Sequence, residues 1–380
     1  MAFATIDVTK GITGVLPAAN ATYASLRPNA EPIIINGNMN VWQRSTSTVT
    51  MSDGYYNVDR FRGEEGTDGT ATWSRSTSVP DNTGLAYSLQ VDCTGTDSSI
   101  GSGQQTNIQQ TIEAQNLQLL KWGTSDAEKV TLAFWVKSNQ TGQHSVSFRK
   151  LDNTAYNQPK TYTINSANTW EKKVLVFSAL TSSGGAIAND NGDGLQIFWK
   201  LSAGSDYQGT ADTWTATNQG ATAVSGDVNF MSSTDNNFYL TGVQLEVGEY
   251  TSSTLPPFQH ESLGDNLARC QRYFQMIAEG NQKIISMAHW GSNTEVDFVV
   301  ELPTTMRARP TLDYTTGNEY WAIGGSGGST NTLDNLNVNT WSTDSNINLW
   351  TTTGAGGTAG YAYYGYTNNA SAKLGFTSEL

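Results

Sequence analysis

The chain has 380 residues, of which only 14% are charged, and it carries a formal net charge of −13. That acidic balance argues against a nucleic-acid partner, because neutralising phosphates requires clustered Lys and Arg. No apolar run reaches the roughly 20 residues of a membrane span, so membrane insertion is not expected, and no signal peptide is recognisable. The length suits two domains and a small terminal segment.

Residues 1–32 contain no long periodic segment and cannot form a core of their own. Pro17, Pro28 and Pro32 interrupt the stretch repeatedly. Two interpretations follow from this composition. The segment is either an arm that packs along a partner subunit or a disordered tail.

Residues 33–261 form the larger predicted domain, a series of short strands separated by turns. Ile33–Ile35 is predicted to open it as a buried strand, followed by a turn at Asn36-Gly37. Apolar and polar residues then alternate in further segments, a pattern typical of an antiparallel sandwich. Periodicity alone does not separate a jelly roll from an immunoglobulin-like topology. The predicted strands are 130–136, 146–148, 173–177, 195–201 and 239–247, with a helical turn within 115–122.

A short helix near residues 262–273 is predicted to join this domain to the next. Pro256-Pro257 ends regular pairing, and Ser262 with Asp265 three positions later is typical of a helix N-terminus. Leu263, Leu267, Cys270 and Phe274 then place one apolar stripe on the helix.

Residues 262–380 hold this helix and a second, smaller β-domain. Alternation over 296–302 and again over 372–376 predicts strands. The intervening segments are polar and Gly-rich, notably 324–330 and 354–357. Because the domain is thinly apolar, we expect it to gain stability from neighbouring subunits in a homo-oligomer.

No catalytic constellation stands out, so the protein is predicted not to be an enzyme and to need no cofactor or metal. There is no nucleophile elbow, P-loop or dinucleotide fingerprint. The run from Asp190 to Asp193 offers oxygen ligands that could hold Ca²⁺, but a plain turn is the favoured interpretation. Cys93 and Cys270 are expected to be buried free thiols, although their number allows one disulfide.

Aromatic side chains are the main candidates for ligand binding. The chain has 11 Trp and 16 Tyr, which provide flat apolar area together with a polar edge, as a sugar ring requires. Several lie among Gly, Ser, Asn and Thr in the second domain, where exposure is expected. The alternative for these residues is a subunit interface, which also favours Tyr and Trp. The predicted glycan contacts are Tyr320, Trp321, Trp341, Trp350, Tyr363, Tyr364 and Tyr366.

Four separate stretches resemble phage tail-fibre and other virion surface proteins. In these proteins a jelly roll like that of carbohydrate-binding modules precedes a helix similar to LGDNLARCQRYF, which here follows VQLEVG and PPF. The N-terminal MAFATIDVTKGITGVLPAAN, the pair INGNMNVWQRSTS and YNVDRF, and the C-terminal LGFTSEL also resemble segments of such proteins.

The resemblance implies an all-β protein with two antiparallel, jelly-roll-like sandwiches joined by the helix, and an extended N-terminal arm. It implies a homotrimeric virion fibre that attaches the particle to host surface polysaccharide without enzymatic activity. The arm would dock on tail or capsid subunits through Ile12, Val15 and Leu16. Alternatives are a head-fibre or capsid decoration protein without a required ligand, a polysaccharide depolymerase, and a secreted bacterial glycan-binding protein.

Overall fold

The computed structural model describes residues 31–324, 330–352 and 356–380. The first part of the chain forms strands β1–β12, with one long connection folded as a 3₁₀ helix at Ala114–Leu120, as predicted. The strands are β1 (Val49–Thr50), β2 (Arg62–Glu65), β3 (Thr70–Ser76), β4 (Ser88–Gly95), β5 (Gln105–Glu113), β6 (Val130–Ser138), β7 (Gly142–Lys150), β8 (Tyr156–Ile164), β9 (Glu171–Phe177), β10 (Asp193–Ala203), β11 (Thr215–Ala216) and β12 (Asn237–Val247).

These strands build two six-stranded antiparallel sheets. Their orders are β1-β3-β4-β12-β6-β9 and β11-β8-β7-β10-β5-β2. A shared core, which includes Trp73, Phe134 and Trp199, fills the space between the two sheets. Alternation explains the arrangement, since Val130, Leu132, Phe134 and Val136 all point into this core from one face of β6.

The start of this sandwich differs from the prediction for Ile33–Ile35. Ile34 and Ile35 are buried as expected, but the segment is not a strand. The side-chain amide of Gln110 replaces a neighbouring strand: it accepts from the Ile35 N–H at 3.2 Å and donates to the Ile35 carbonyl at 2.9 Å. The predicted turn at Asn36-Gly37 is present, and a Cβ on Gly37 would lie 2.2 Å from the Val243 carbonyl oxygen.

The connecting helix α1 (Leu263–Gln271) is confirmed within the predicted range. The Ser262 hydroxyl accepts a hydrogen bond from the Asp265 N–H at 3.1 Å and so caps its first turn. Cys270 is buried near the domain junction, and both it and Cys93 are free thiols, as expected. No helix among the described residues is long and apolar enough to cross a membrane.

The chain after α1 forms a second pair of antiparallel sheets, of three and seven strands, with orders β13-β22-β16 and β18-β17-β21-β14-β15-β20-β19. They enclose their own core, and the prediction of an all-β protein with two sandwiches is confirmed. The strands are β13 (Phe274–Glu279), β14 (Ile284–Trp290), β15 (Val296–Glu301), β16 (Thr311–Tyr314), β17 (Trp321–Gly324), β18 (Asn331–Leu333), β19 (Asn337–Val338), β20 (Asn346–Thr351), β21 (Ala362–Thr367) and β22 (Lys373–Thr377).

The two sandwiches meet in a polar junction beside α1. Arg272 donates to both carboxylate oxygens of Glu113, at 2.7 and 2.9 Å. The amide nitrogen of Gln43 donates to the Phe274 carbonyl at 2.8 Å. Residues 1–30, with the predicted docking positions Ile12, Val15 and Leu16, lie outside the described residues.

Candidate functional site

The predicted aromatic glycan contacts do not form one surface. Trp321 on β17 is fully buried in the second core, so the expectation that it projects towards a ligand is wrong. Tyr320 and Tyr363 are partly buried and pack against the same core. The sequence context misled because Gly, Ser and Asn surround Trp321, yet its strand pairs on both sides, with Thr367 and with Leu333.

The remaining predicted aromatics are accessible but divided between two places. Trp341 is 82% exposed and stands alone in a turn before β20. Tyr364, Tyr366 and Trp350 point outward from the seven-stranded sheet, on strands β21 and β20. Tyr364 and Tyr366 are paired with Met287 and Ile284, which offer no side-chain hydrogen bonds to a sugar, whereas Trp350 is paired with Asp297 and Asn337.

A different surface concentrates polar side chains: the outward face of the second six-stranded sheet, here called the polar face. Strand register places its residues in three adjacent rows across β2, β5, β10, β7 and β8. The central row is Arg62, Gln109, Phe198, Ser147 and Pro159. On one side of it lies the row Thr111, Gln196, Arg149 and Asn157, and on the other the row Glu64, Asn107 and Lys200.

The polar face carries buried polar atoms that have no hydrogen-bond partner within the described part of the chain. They include donors, acceptors and hydroxyl groups that can serve as either. These atoms are Asn107 Oδ1, Gln109 Nε2, Thr111 Oγ1, Ser147 Oγ, Arg149 Nε, Asn157 Oδ1 and Gln196 Oε1. Leaving one such group buried and unpaired costs about 1–3 kcal/mol, so their accumulation on one face calls for an explanation.

Positive charge on the polar face is also only partly compensated. The guanidinium of Arg149 donates to the Asn218 carbonyl and the ammonium of Lys200 donates to Gln105 Oε1, but neither forms an ion pair with a described carboxylate. The Lys200 ammonium lies 4.7 Å from the Phe198 ring centroid and 5.3 Å from that of Tyr207. Burial lowers the pKa of Lys200 to about 7, against the opposing influence of Glu64.

The connection between β10 and β12 runs along one margin of the polar face. The Thr217 carbonyl accepts from the Asn157 amide at 2.7 Å, and the Val224 N–H donates to Ser145 Oγ at 3.0 Å. The same segment contributes Tyr207, which is half-buried beside Lys200. The polar face therefore combines unpaired hydrogen-bonding groups with an aromatic ring at its edge.

The polar face is not among the sites predicted from the sequence. Its clearest signal is in β5, QTNIQQTIE, where Gln105, Asn107, Gln109 and Thr111 alternate with residues that include Ile108 and Ile112. That pattern normally indicates a solvated outer face, whereas here every residue of the strand is buried. The described residues contain no group of three or more His, Cys, Asp or Glu side chains that could hold a metal ion.

Comparison with known proteins gives weak similarities. No protein-family model and no curated protein matches the chain. Among solved structures, the enzymatically active domain of bacteriophage CBA120 tailspike protein 4 shares 16% identity, with a TM-score of 0.29, over 57% of this chain and 21% of that one. A family 11 carbohydrate-binding module from Clostridium thermocellum, in complex with a mixed-linked tetrasaccharide, shares 10% identity, with a TM-score of 0.26, over 55% of this chain and 99% of that one.

A further similar structure is the xylan-binding CBM22-1 domain of Xyn10C from Paenibacillus barcinonensis. It shares 9% identity, with a TM-score of 0.26, over 55% of this chain and 99% of that one. Identities and TM-scores this low carry no conclusion about the ligand or activity of this chain.

Proposed function

We propose that the protein binds a glycan on the polar face of its first sandwich. The observation that carries this proposal is the set of buried, unpaired donors and acceptors on that face. Each sugar hydroxyl is both a donor and an acceptor, so it can pair with Gln109 Nε2 and with Gln196 Oε1. Both atoms are buried, so the side chains that cover them must move aside before a sugar can reach them. Tyr207 at the margin offers an apolar surface for the C–H face of a sugar ring.

We further propose that the chain is a non-enzymatic fibre or receptor-binding protein on a phage particle, attaching it to host surface polysaccharide. The resemblance of the junction and terminal motifs to virion fibre proteins supports this role. In this proposal residues 1–32 dock on other virion subunits through Ile12, Val15 and Leu16.

A purely structural decoration protein is the competing proposal, and the polar face distinguishes the two. A protein without a ligand gains nothing from leaving Gln109, Thr111 and Ser147 buried and unpaired, whereas a binding protein recovers that cost when the ligand is present. A depolymerase would release reducing ends from the polysaccharide, so a reducing-end assay on host material separates it from both.

The test is binding of host surface polysaccharide or a glycan array to the full chain and to two variants. Gln196→Ala and Arg149→Ala remove half-buried groups of the polar face, and each should weaken binding by about tenfold or more. Tyr364→Ala, on the seven-stranded sheet, is the matched control and should bind normally. Unchanged binding in both polar-face variants would contradict the proposal. Labelled-antibody electron microscopy of particles tests the virion location.

A further inference from the structure

A buried lysine, a side-chain amide and a carboxylate lie in contact across three adjacent strands of the first sandwich. The Nζ of Lys200 on β10 donates a hydrogen bond to Oε1 of Gln105 on β5. Nε2 of the same amide donates to Oε1 of Glu64 on β2 at 2.7 Å. Lys200 is 3% exposed and Gln105 is 9% exposed. An amine, an amide carbon and a carboxylate are therefore held together away from bulk water.

The Nζ of Lys200 is not satisfied in the way that is usual for a buried lysine. Lys150, on the neighbouring strand β7, is also buried, and its Nζ donates to three backbone carbonyls. Lys200 donates to Gln105 alone among the described residues, and the rings of Phe198 and Tyr207 flank its Nζ. These surroundings favour the neutral amine, and burial lowers the pKa of Lys200 to about 7. A neutral amine is a nucleophile.

We propose that Lys200 and Gln105 form a covalent amide bond with each other, which cross-links β10 to β5. This inference is independent of the proposed glycan function. In the reaction the neutral Nζ attacks Cδ of Gln105, the Nζ–Cδ bond forms and the Cδ–Nε2 bond breaks. One proton passes from Nζ to the leaving nitrogen, so ammonia is released and no oxidant or reductant is consumed.

The observed contact brings the reacting atoms close to the geometry of attack. The carbon of the Gln105 amide lies one bond, about 1.2 Å, beyond the oxygen that Nζ contacts. A small rotation of the Lys200 side chain therefore makes that carbon the nearest atom of the amide. Holding an amine and an amide carbon about 3–3.5 Å apart replaces a bimolecular encounter with an intramolecular step, which removes much of the entropic barrier.

Glu64 is placed to move the proton. Its Oε1 contacts the nitrogen that leaves, and its Oε2 accepts from the Asn107 amide at 3.0 Å, which fixes the carboxylate. The charges of Glu64 and Arg149 both act on Lys200, in opposite directions. A carboxylate in this position can take the proton that Nζ loses and deliver it to Nε2, as a general base and then as a general acid.

The cross-link gives the first sandwich a covalent connection that its cysteines do not provide. Cys93 and Cys270 are both free thiols. The bond joins positions that are 95 residues apart, and closing a long loop restricts the unfolded chain as a disulfide does. It also removes the charge of Lys200 from the protein interior, where an ammonium without a carboxylate partner is unfavourable.

Intact-mass spectrometry of the full chain tests the proposal. Relative to Lys200→Met, and after the mass of the substitution is subtracted, the wild type should be lighter by about 17 Da, because one ammonia has left. Incubation near pH 8.5, about where the Lys200 amine is neutral, should complete the reaction. Glu64→Gln should lose ammonia at least about a hundredfold more slowly. Lys172→Met, at an exposed position of β9, is the control and should show the same deficit as the wild type.

Proteolysis of the wild type then locates the bond. Digestion should release one branched peptide in which the segments that contain Lys200 and Gln105 are joined. A succinimide at Asn36-Gly37 or Asn191-Gly192 also releases ammonia, but it would persist in Lys200→Met and leave the two segments separate. A wild type that keeps its full mass after the alkaline incubation would overturn the proposal, as would a mass deficit that Lys200→Met retains.

Discussion

Arg60 and Glu379, 319 positions apart in the chain, form an ion pair in which both side chains are buried. The Arg60 guanidinium also lies 3.4 Å from the centroid of the Tyr273 ring, directly after helix α1. Three distant segments therefore converge on one guanidinium. The C-terminus of the chain is thereby fixed to the first sandwich, which couples the stability of the two domains.

This contact predicts that Glu379→Gln destabilises the whole protein. Removing the carboxylate leaves Arg60 charged and buried, which costs about 3–5 kcal/mol in the free energy of unfolding. Asp53→Asn is the matched control, because the Asp53–Arg62 pair is largely exposed and should contribute at most about 1 kcal/mol. Urea unfolding of both variants measures the difference, and equal losses would show that burial of the pair has no special role.

The same junction explains what the recognised sequence motifs do. The Asp59 carboxylate accepts from the Gln43 N–H at 2.6 Å, and Asn266 on α1 donates to Asn38 Oδ1 at 3.1 Å. Arg269 donates to Glu261 at 2.5 Å. All of these residues except Glu261 belong to the INGNMNVWQR, YNVDRF and LGDNLARCQRYF stretches. These three stretches thus build the interdomain junction, which is why they indicated architecture and gave no indication of a ligand site.

Trp321 and Trp341 should respond very differently to substitution by Ala. Trp321 is fully buried, so Trp321→Ala should lower the free energy of unfolding by about 3–5 kcal/mol through the cavity it leaves. Trp341 is 82% exposed, and Trp341→Ala should change the free energy of unfolding by less than about 0.5 kcal/mol. Thermal unfolding of the two variants checks this, and a small effect at Trp321 would place that residue outside the core.

Local elements were predictable from sequence, while the candidate site was not. The alternation in β6 and the cap at Ser262 depend on neighbours within a few residues, so both were predicted correctly. The burial of Gln109 depends on Arg62 and Phe198, which flank it from strands remote in sequence. Trp321 lies near Gly and Asn and Trp341 among Asn, Ser and Thr, so both have polar surroundings in the sequence. Only the pairing of β17 on both sides separates them.

We expect the free energy of unfolding to decrease at acidic pH because of His144. This residue is buried against Tyr162, and desolvation lowers its pKa from 6.5 to about 4. Because the pKa of His144 is lower in the folded state than in the unfolded state, its contribution to stability is fully present above pH 6.5. That contribution is lost as pH falls through 4, and the total loss is roughly 3 kcal/mol. His144→Phe should lack this loss, as judged from urea unfolding at several pH values.

Asp59 changes the stability with pH in the opposite direction to His144. The comparison of wild type with His144→Phe must therefore separate the two residues. Burial raises its pKa to about 6, so its contribution to stability is present below about pH 4 and is lost as pH rises through 6. Because Asp59 is the same in both proteins, the difference between wild type and His144→Phe isolates the histidine. A difference that does not change between pH 7 and 4 would contradict the assignment.

At Thr111 we expect one substitution to raise the stability of the protein and to weaken glycan binding. Its hydroxyl is buried and unpaired, so Thr111→Val should stabilise the unliganded protein by about 1 kcal/mol. The same change should weaken glycan binding, because the hydroxyl can no longer serve the ligand. Thr131→Val is a suitable control: its hydroxyl donates to the Gly248 carbonyl at 2.8 Å, so this substitution should destabilise.

The most direct test of the central claim is to locate a bound oligosaccharide by crystallography of the full chain. We expect sugar hydroxyls within hydrogen-bonding distance of Gln196 and Arg149, with a sugar ring near Tyr207. A glycan found on the seven-stranded sheet beside Tyr364, with the polar face empty, would contradict it.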